Sequence, residues 1–491
     1  MNTKSTARPW RGLAVLALPT LLLSLDVSVL YVALPRIGAD LGATGTEQLW
    51  ILDIYSFLLA GFLVTMGAVG ERVGRRRLLL IGAGAFGVAS VLAAYATTPE
   101  MLIAARAVLG VAGATIMPST MALIRTMFTE QRQLNRALGI WFACFMGGSM
   151  LGPLVGGALL ESFWWGSAFL LGAPIMVLLL IVGPAWLPEF RDRTAPRPDL
   201  PSLALSLAAV LPIIHGGKTL AHDGWSLLPL AEIALGVLLA IAFVRRQAVL
   251  PHPLLELRLF RNRTVATSLA AMLGGGIVMA GVVLVSSLYL QSVRGLTPLE
   301  TGLWLVPQNV AMVAGSLLAP ALAQRFPTVR VAGGGLVLAA AGLSLLAGAG
   351  PQDGIGWLVT GVSVASFGLS MPMTLLLGLM LGSVPPARAG SVASVNETGG
   401  EFGIAVGVAL LGSLATAVYR DGLPATAFPV REGIAAAAGT PFLDVARVAF
   451  TDAVHVIGLV GAGGFALLAA LTFRVLRRPA PDAAPEPARV G

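Results

Sequence analysis

The amino-acid sequence predicts an all-α membrane protein with about fourteen transmembrane helices. Two features of composition carry that reading. Of 491 residues, 56% are hydrophobic and 11% charged, against about 25% charged in soluble domains, and the mean hydropathy is +0.85. The third observation is spacing: apolar runs of about 20 residues, the length that crosses a bilayer as a helix, recur from end to end. Open sheets leave backbone groups unsatisfied in lipid, and the alternation of an outer-membrane barrel is absent. In such helices the 59 glycines and 31 prolines allow close packing and bends. The net charge of +8 does not point to nucleic acid, because the arginines cluster at the ends of the runs. One cysteine, Cys144, gives neither a disulfide framework nor a cysteine metal site.

In chain order the runs lie near 13–35, 48–70, 78–97, 101–126, 137–160, 166–187, 201–219, 227–244, 266–290, 301–323, 329–349, 355–382, 393–419 and 453–475. The first is too long, and lacks the small-residue cleavage site, for a removable signal peptide. The least regular is the seventh, which carries Pro212, His215 and Lys218. Alternate connections are basic: Lys4, Arg8 and Arg11; Arg72, Arg75, Arg76 and Arg77; Arg125, Arg132 and Arg136; Arg191, Arg193 and Arg197; and onward to Arg474, Arg477 and Arg478. The intervening ones are short or acidic. By the positive-inside rule both termini are cytoplasmic. The connection 420–452 is Ala/Gly/Pro-rich, and a lid, an amphipathic hairpin and a plain surface loop all fit it. The tail after 478 has the composition of a disordered end.

A faint internal repeat organises the runs. GAVGERVGRRRLLLIGAG joins the second to the third, and APALAQRFPTVRVAGGG joins the tenth to the eleventh. Both read as small residues, a basic cluster and a Gly-rich helix start. This predicts a six-helix half over 1–190, a two-helix insert over 191–250, a second six-helix half over 251–478 and a tail over 479–491. Paired halves with a midplane site are a common plan of secondary transporters.

The chemistry lies in charges at membrane depth. Asp26 is the only charge between Arg11 and Arg36, and a mid-helix carboxylate costs roughly 2.5–3.5 kcal/mol on insertion scales, so it belongs in a bundle interior or aqueous cavity. Asp53 in WILDIY and Arg106 in RAVLGVAGATIMPS lie at similar depth. A buried arginine keeps its proton and needs a partner; Asp26 and Asp53 both qualify. In SVNETGGEFGIAVG, Glu397 and Glu401 are four apart and share a helix face, which predicts a coupled pair of carboxylates. Trp50, Tyr55, Trp141, Phe145 and Met146 are candidates to line a cavity for organic cations.

Four stretches together resemble the major facilitator superfamily, and within it the fourteen-span drug:proton antiporters of the quaternary-ammonium and methyl-viologen efflux type. SLDVSVLYVALP (24–35) is similar to the first-helix motif of that family, with Asp26 in the acidic place. GAVGERVGRRR (67–77) resembles the superfamily signature, contributing Gly67, Glu71, Arg72, Gly74, Arg75 and Arg76, with Glu71 where aspartate is usual; a latch between the halves is expected there. RAVLGVAGATIMPS is similar to the fourth-helix motif. GSMLGPLVGG (148–157) resembles the antiporter signature, with Gly148, Gly152 and Gly156 on one face beside Pro153 and Gly157.

The resemblance implies alternating access, with the proton-motive force in place of a cofactor and Asp26, Asp53, Arg106, Glu397 and Glu401 as the coupling set. Its substrates would be lipophilic, chiefly cationic small molecules, exported across the cytoplasmic membrane by a monomer embedded in the bilayer. A dedicated exporter of one secondary metabolite would carry the same coupling motifs, and a solute:proton symporter is disfavoured by the glycine signature. No Walker A motif appears. The four histidines are scattered, with no metal-ligating or triad spacing, so neither an ATP-driven pump nor an intramembrane enzyme is expected.

Overall fold

The computed structural model describes residues 3–476 except 129, 190, 192–198, 224–225, 252, 254, 349–354, 385–388, 425, 428–429 and 438. Fourteen long helices account for most of it. They are α1 (Thr3–Leu41), α2 (Gly45–Val73), α3 (Arg75–Ala94), α4 (Pro99–Met127) and α5 (Gln131–Ser162). Then follow α6 (Ser167–Trp186), α7 (Leu200–Asp223), α8 (Leu227–Val249), α9 (Arg263–Leu288) and α10 (Pro298–Arg325). The last four are α11 (Thr328–Ser344), α12 (Gly356–Gly382), α13 (Ala389–Asp421) and α14 (Leu443–Leu476). Thirteen are long and apolar enough to cross a membrane, and α2 makes the fourteenth if its bent segments, Gly45–Leu63 and Thr65–Val73, form one span. No strand occurs among the described residues. Several helices outrun the apolar stretches, α1 by ten residues at its start and α14 likewise, because polar helical turns continue past the lipid-matched length.

Local chemistry fixes the starts. Thr44 caps α2 in a capping box with Glu47, and Thr297 caps α10 in a capping box with Glu300. Thr98 followed by Pro99 starts α4 sharply and separates it from α3. At the insert, Asp199 accepts from Ser202 N and from the Arg246 guanidinium, clipping the start of α7 to the end of α8.

The packing repeats along the chain. In the first six helices α1 lies on α5, α2 on α4, α3 on α4 and α6, and α1 on α6. In the last six α9 lies on α13, α10 on α12, α11 on α12 and α14, and α9 on α14. The glycine stripe of α5 explains the first of these pairings. A Cβ on Gly148 would strike the Leu21 carbonyl, one on Gly152 the Ser28 hydroxyl, and one on Gly156 the Val29 side chain. On α13, Gly403 and Gly407 meet the carbonyls of Leu273 and Ile277 on α9 in the same way, a correspondence the motif reading did not reach.

Between the two sets, α2 packs on α13 and α5 on α10, and α7 touches both α2 and α13. Calling the end that carries the chain termini the terminal face, and its opposite the far face, these close approaches lie toward the far face. Gly157 abuts Pro298 and Leu299, Gly302 abuts Pro153, and Gly412 abuts Leu49; Ser287 Oγ donates to the Tyr31 carbonyl at 2.7 Å. Toward the terminal face, an added Cβ at Gly67, Gly139, Gly399 or Gly400 would meet open space. The close approaches between the two sets thus gather toward the far end.

The connection after α13 is neither loose nor a hairpin. Two short 3-10 turns, Val430–Glu432 and Ile434–Ala437, bury Ala427, Val430, Ile434 and Ala437. Tyr419 Oη donates to the Val430 carbonyl at 2.9 Å. The segment covers the far end of α9, α13 and α14 and reaches α1.

Replacing Gly152 by leucine drives a side chain into Ser28 and α1. The expected cost is about 1–3 kcal/mol, seen as a lower thermal unfolding midpoint of the purified protein, and an unchanged midpoint would refute the packing role of the stripe.

Candidate functional site

Three helices bring the deepest charges together. Asp26 lies midway along α1, and Arg106 lies two turns into α4. Their Oδ2 and Nη1 atoms are 2.5 Å apart, with both side chains buried. Arg106 has two further holds, both from α2: its Nε donates to the Ile51 carbonyl at 3.1 Å, and its guanidinium sits 4.3 Å over the Tyr55 ring. The sequence left Asp26 and Asp53 as alternative partners; the geometry selects Asp26.

Asp53 has a different partner, one that sequence reasoning missed. Lys218 of the inserted α7 places Nζ 2.6 Å from Asp53 Oδ2 and 4.2 Å from the Trp50 ring centroid. Neither side chain is exposed, and neither Nζ nor the Asp53 oxygens have a hydrogen-bond partner outside this contact among the described residues. The signal was available: Lys218 is a charge in an apolar run, as Asp26 is. It reads there only as an irregularity of the seventh span.

On the opposite side, α13 contributes Glu401, half-buried and within electrostatic reach of Tyr31 and Tyr55. The side chain of Glu397 lies outside the described residues, so the expected carboxylate pair is present only as a shared face of α13. The aromatic candidates divide. Trp50 and Tyr55 receive the two cations. Trp141 is buried between α4 and α5, donating to Thr120 Oγ1 at 3.2 Å and stacking on Phe145. Phe145 and Met146 are partly exposed.

The basic motif departs from expectation. Glu71 pairs with Arg75 one turn along, at 2.8 Å, and Arg76 binds Glu189 at 3.5 Å and the carbonyls of Pro184 and Leu187 at the end of α6. Arg191 donates to the Arg72 carbonyl at 2.8 Å. Gly74, with φ +121°, makes the turn from α2 to α3, and an added Cβ would press on Glu189. The motif therefore fastens α2 and α3 to α6 within one set of six helices rather than latching the two sets. In this conformation Glu189 is the acid that Arg76 and Arg77 reach.

A family model described as Major Facilitator Superfamily matches residues 16–408. The chain belongs to that superfamily. It is similar to the multidrug efflux pump LfrA of Mycolicibacterium smegmatis, with 40% identity over 94% of this chain and 95% of the relative. It is also similar to the methyl viologen resistance protein SmvA of Salmonella typhimurium, with 33% identity over 94% and 97% of the two chains. Among solved structures, a bacterial homologue of the human lysosomal transporter Spinster superposes with a TM-score of 0.66 at 16% identity, covering 96% of this chain and 99% of that one. The fold of this superfamily member is thus that of a multi-pass membrane transporter.

In this superfamily member, removing one partner of the Asp26–Arg106 pair leaves the other charge buried. Asp26→Asn is expected to lower stability by about 3–5 kcal/mol, read as a drop in the unfolding midpoint, with Asp26→Asn/Arg106→Gln recovering much of it. Equal loss in both variants would show that the pair is not what holds α1 to α4.

Proposed function

We propose that the protein is a proton-coupled antiporter that exports lipophilic, chiefly cationic compounds across the cytoplasmic membrane. It would work as a monomer by alternating access, with both termini and the terminal face in the cytoplasm and no cofactor. The observation that carries this reading is the buried Asp26–Arg106 pair, set in a bundle whose two sets of helices approach most closely toward one end. Protonation of Asp26 cancels the attraction that holds Arg106, and loss of that proton restores it. The occupancy of one carboxylate therefore changes how tightly α1 and α4 are joined, and proton entry would release about 2.3 kcal/mol per charge per 100 mV to drive the cycle.

The matched helix pairings support two rocking halves, 1–190 and 251–478, with 191–250 between them and 479–491 as a tail. A state in which the two sets part at the terminal face would admit solute from the cytoplasm. In the opposite state the terminal ends close, and Glu71, Arg75 and Arg76 would then come within reach of the second half, where the latch expected from the motif could form. Multidrug efflux is what the name of LfrA describes for that relative, and methyl viologen resistance is what the name of SmvA describes for the other.

Inverted vesicles energised to an acid interior, with a pH-sensitive dye inside, test the reading. Ethidium, a benzalkonium-type cation and methyl viologen, added in turn, are each expected to alkalinise the interior, and Asp26→Asn is expected to abolish the response. Silence of the wild-type protein toward all three would remove cation efflux and leave a dedicated exporter of one metabolite.

A further inference from the structure

Trp50 and Asp53 lie three residues apart on α2, so they present an aromatic face and a carboxylate on one side of the helix. That pairing is the chemistry that recognises an organic ammonium: a ring face attracts the cation through its quadrupole while the carboxylate balances the charge. In this structure an ammonium is already there. It belongs to the chain itself, on α7, a helix that lies outside both repeated sets.

Of the two cations that sit against aromatic rings of α2, Lys218 is the more loosely held. Arg106 has a carboxylate, a carbonyl and a ring, whereas Lys218 has one carboxylate oxygen and one ring. With Asp26 committed to Arg106, a positively charged solute that needs Asp53 must displace Lys218. The local sequence allows that. Pro212 interrupts the hydrogen bonding of α7, and Gly216 and Gly217 directly precede Lys218, with open space beside Gly217. The helix runs five residues beyond Lys218 to Asp223, about 7.5 Å of rise, so Lys218 sits within two turns of the end of α7.

We propose that Trp50 and Asp53 form a binding site for organic ammonium ions and that Lys218 is its tethered occupant. A substrate cation displaces the lysine, and the returning lysine expels the cation. The proposal rests on the cation-exporter reading, and it gives the inserted helix a direct part in the cycle. It also explains why a transporter would keep a buried lysine at all: an unoccupied Asp53 would be an unpaired charge in an apolar wall, and the tether supplies the counter-ion whenever substrate does not.

Ethidium binding to the purified full-length protein in lipid nanodiscs, followed by fluorescence anisotropy, tests this with three proteins. If the site is free of lysine a tenth of the time, Lys218→Met should bind ethidium roughly tenfold more tightly than wild type. Lys218→Arg, which keeps the charge balance and so guards against misfolding, grips Asp53 through a fork of donors and should bind ethidium more weakly than wild type. In transport, Lys218→Met should lower KM and turnover together, because the cation is bound well and released poorly. Equal affinities in all three proteins, the reverse order, or no binding by any of them would overturn the tethered occupant. Those results leave the transport reading standing if wild-type vesicles still exchange cations for protons, and only silence in that separate assay defeats both.

Discussion

Arg106 sets the terms for the first six helices. A guanidinium keeps its proton under any condition the protein meets, so burying one obliges the surrounding helices to supply a permanent counter-charge and enough acceptors. Here α1 provides the carboxylate and α2 provides a carbonyl and a ring. Three helices from separate parts of the sequence are thereby drawn to one point. The glycine stripe of α5 then lets α1 be approached from its other side without disturbing that point. In the proposed cycle, protonation of Asp26 would oblige the same guanidinium to find its balance elsewhere, and a fixed charge would thereby make a proton matter to the positions of helices.

The second pair follows the same logic with softer parts. A lysine replaces the arginine, and the partner acid sits one turn along α2 from a tryptophan. The two pairs share α2, with Ile51 and Tyr55 serving one and Trp50 and Asp53 the other. Neighbouring residues of a single helix thus serve two charge pairs of different strength.

Much of this was legible in the sequence. Span number, the break before Pro99, the depth of Asp26 and Arg106, and the glycine face of α5 follow from hydropathy and spacing, because lipid imposes length and close packing imposes small residues. The partner of Asp53 was not legible, because helices whose lipid-facing sides are equally apolar carry no pattern that says which of them touch. The partner that the basic motif takes in this conformation was not legible for a related reason: arginines at a helix end announce an acid partner without saying which, and Glu189 lies more than a hundred residues away in sequence yet beside them in space. The 424–442 connection also hid its nature, since alanine and glycine serve a buried cover and an exposed loop equally well.

The 53° bend in α2 between Leu63 and Thr65 separates the charged site from the basic turn. A straight α2 could move Glu71 only by tilting or sliding as a whole. A cranked one acts as a lever: the lower arm, Thr65–Val73, is about 13 Å long, so a 10° change at the elbow swings its tip by about 2 Å. That is comparable to the difference between an ion pair made and one broken, so flexing at this elbow alone would be enough to remake the contacts of the basic turn.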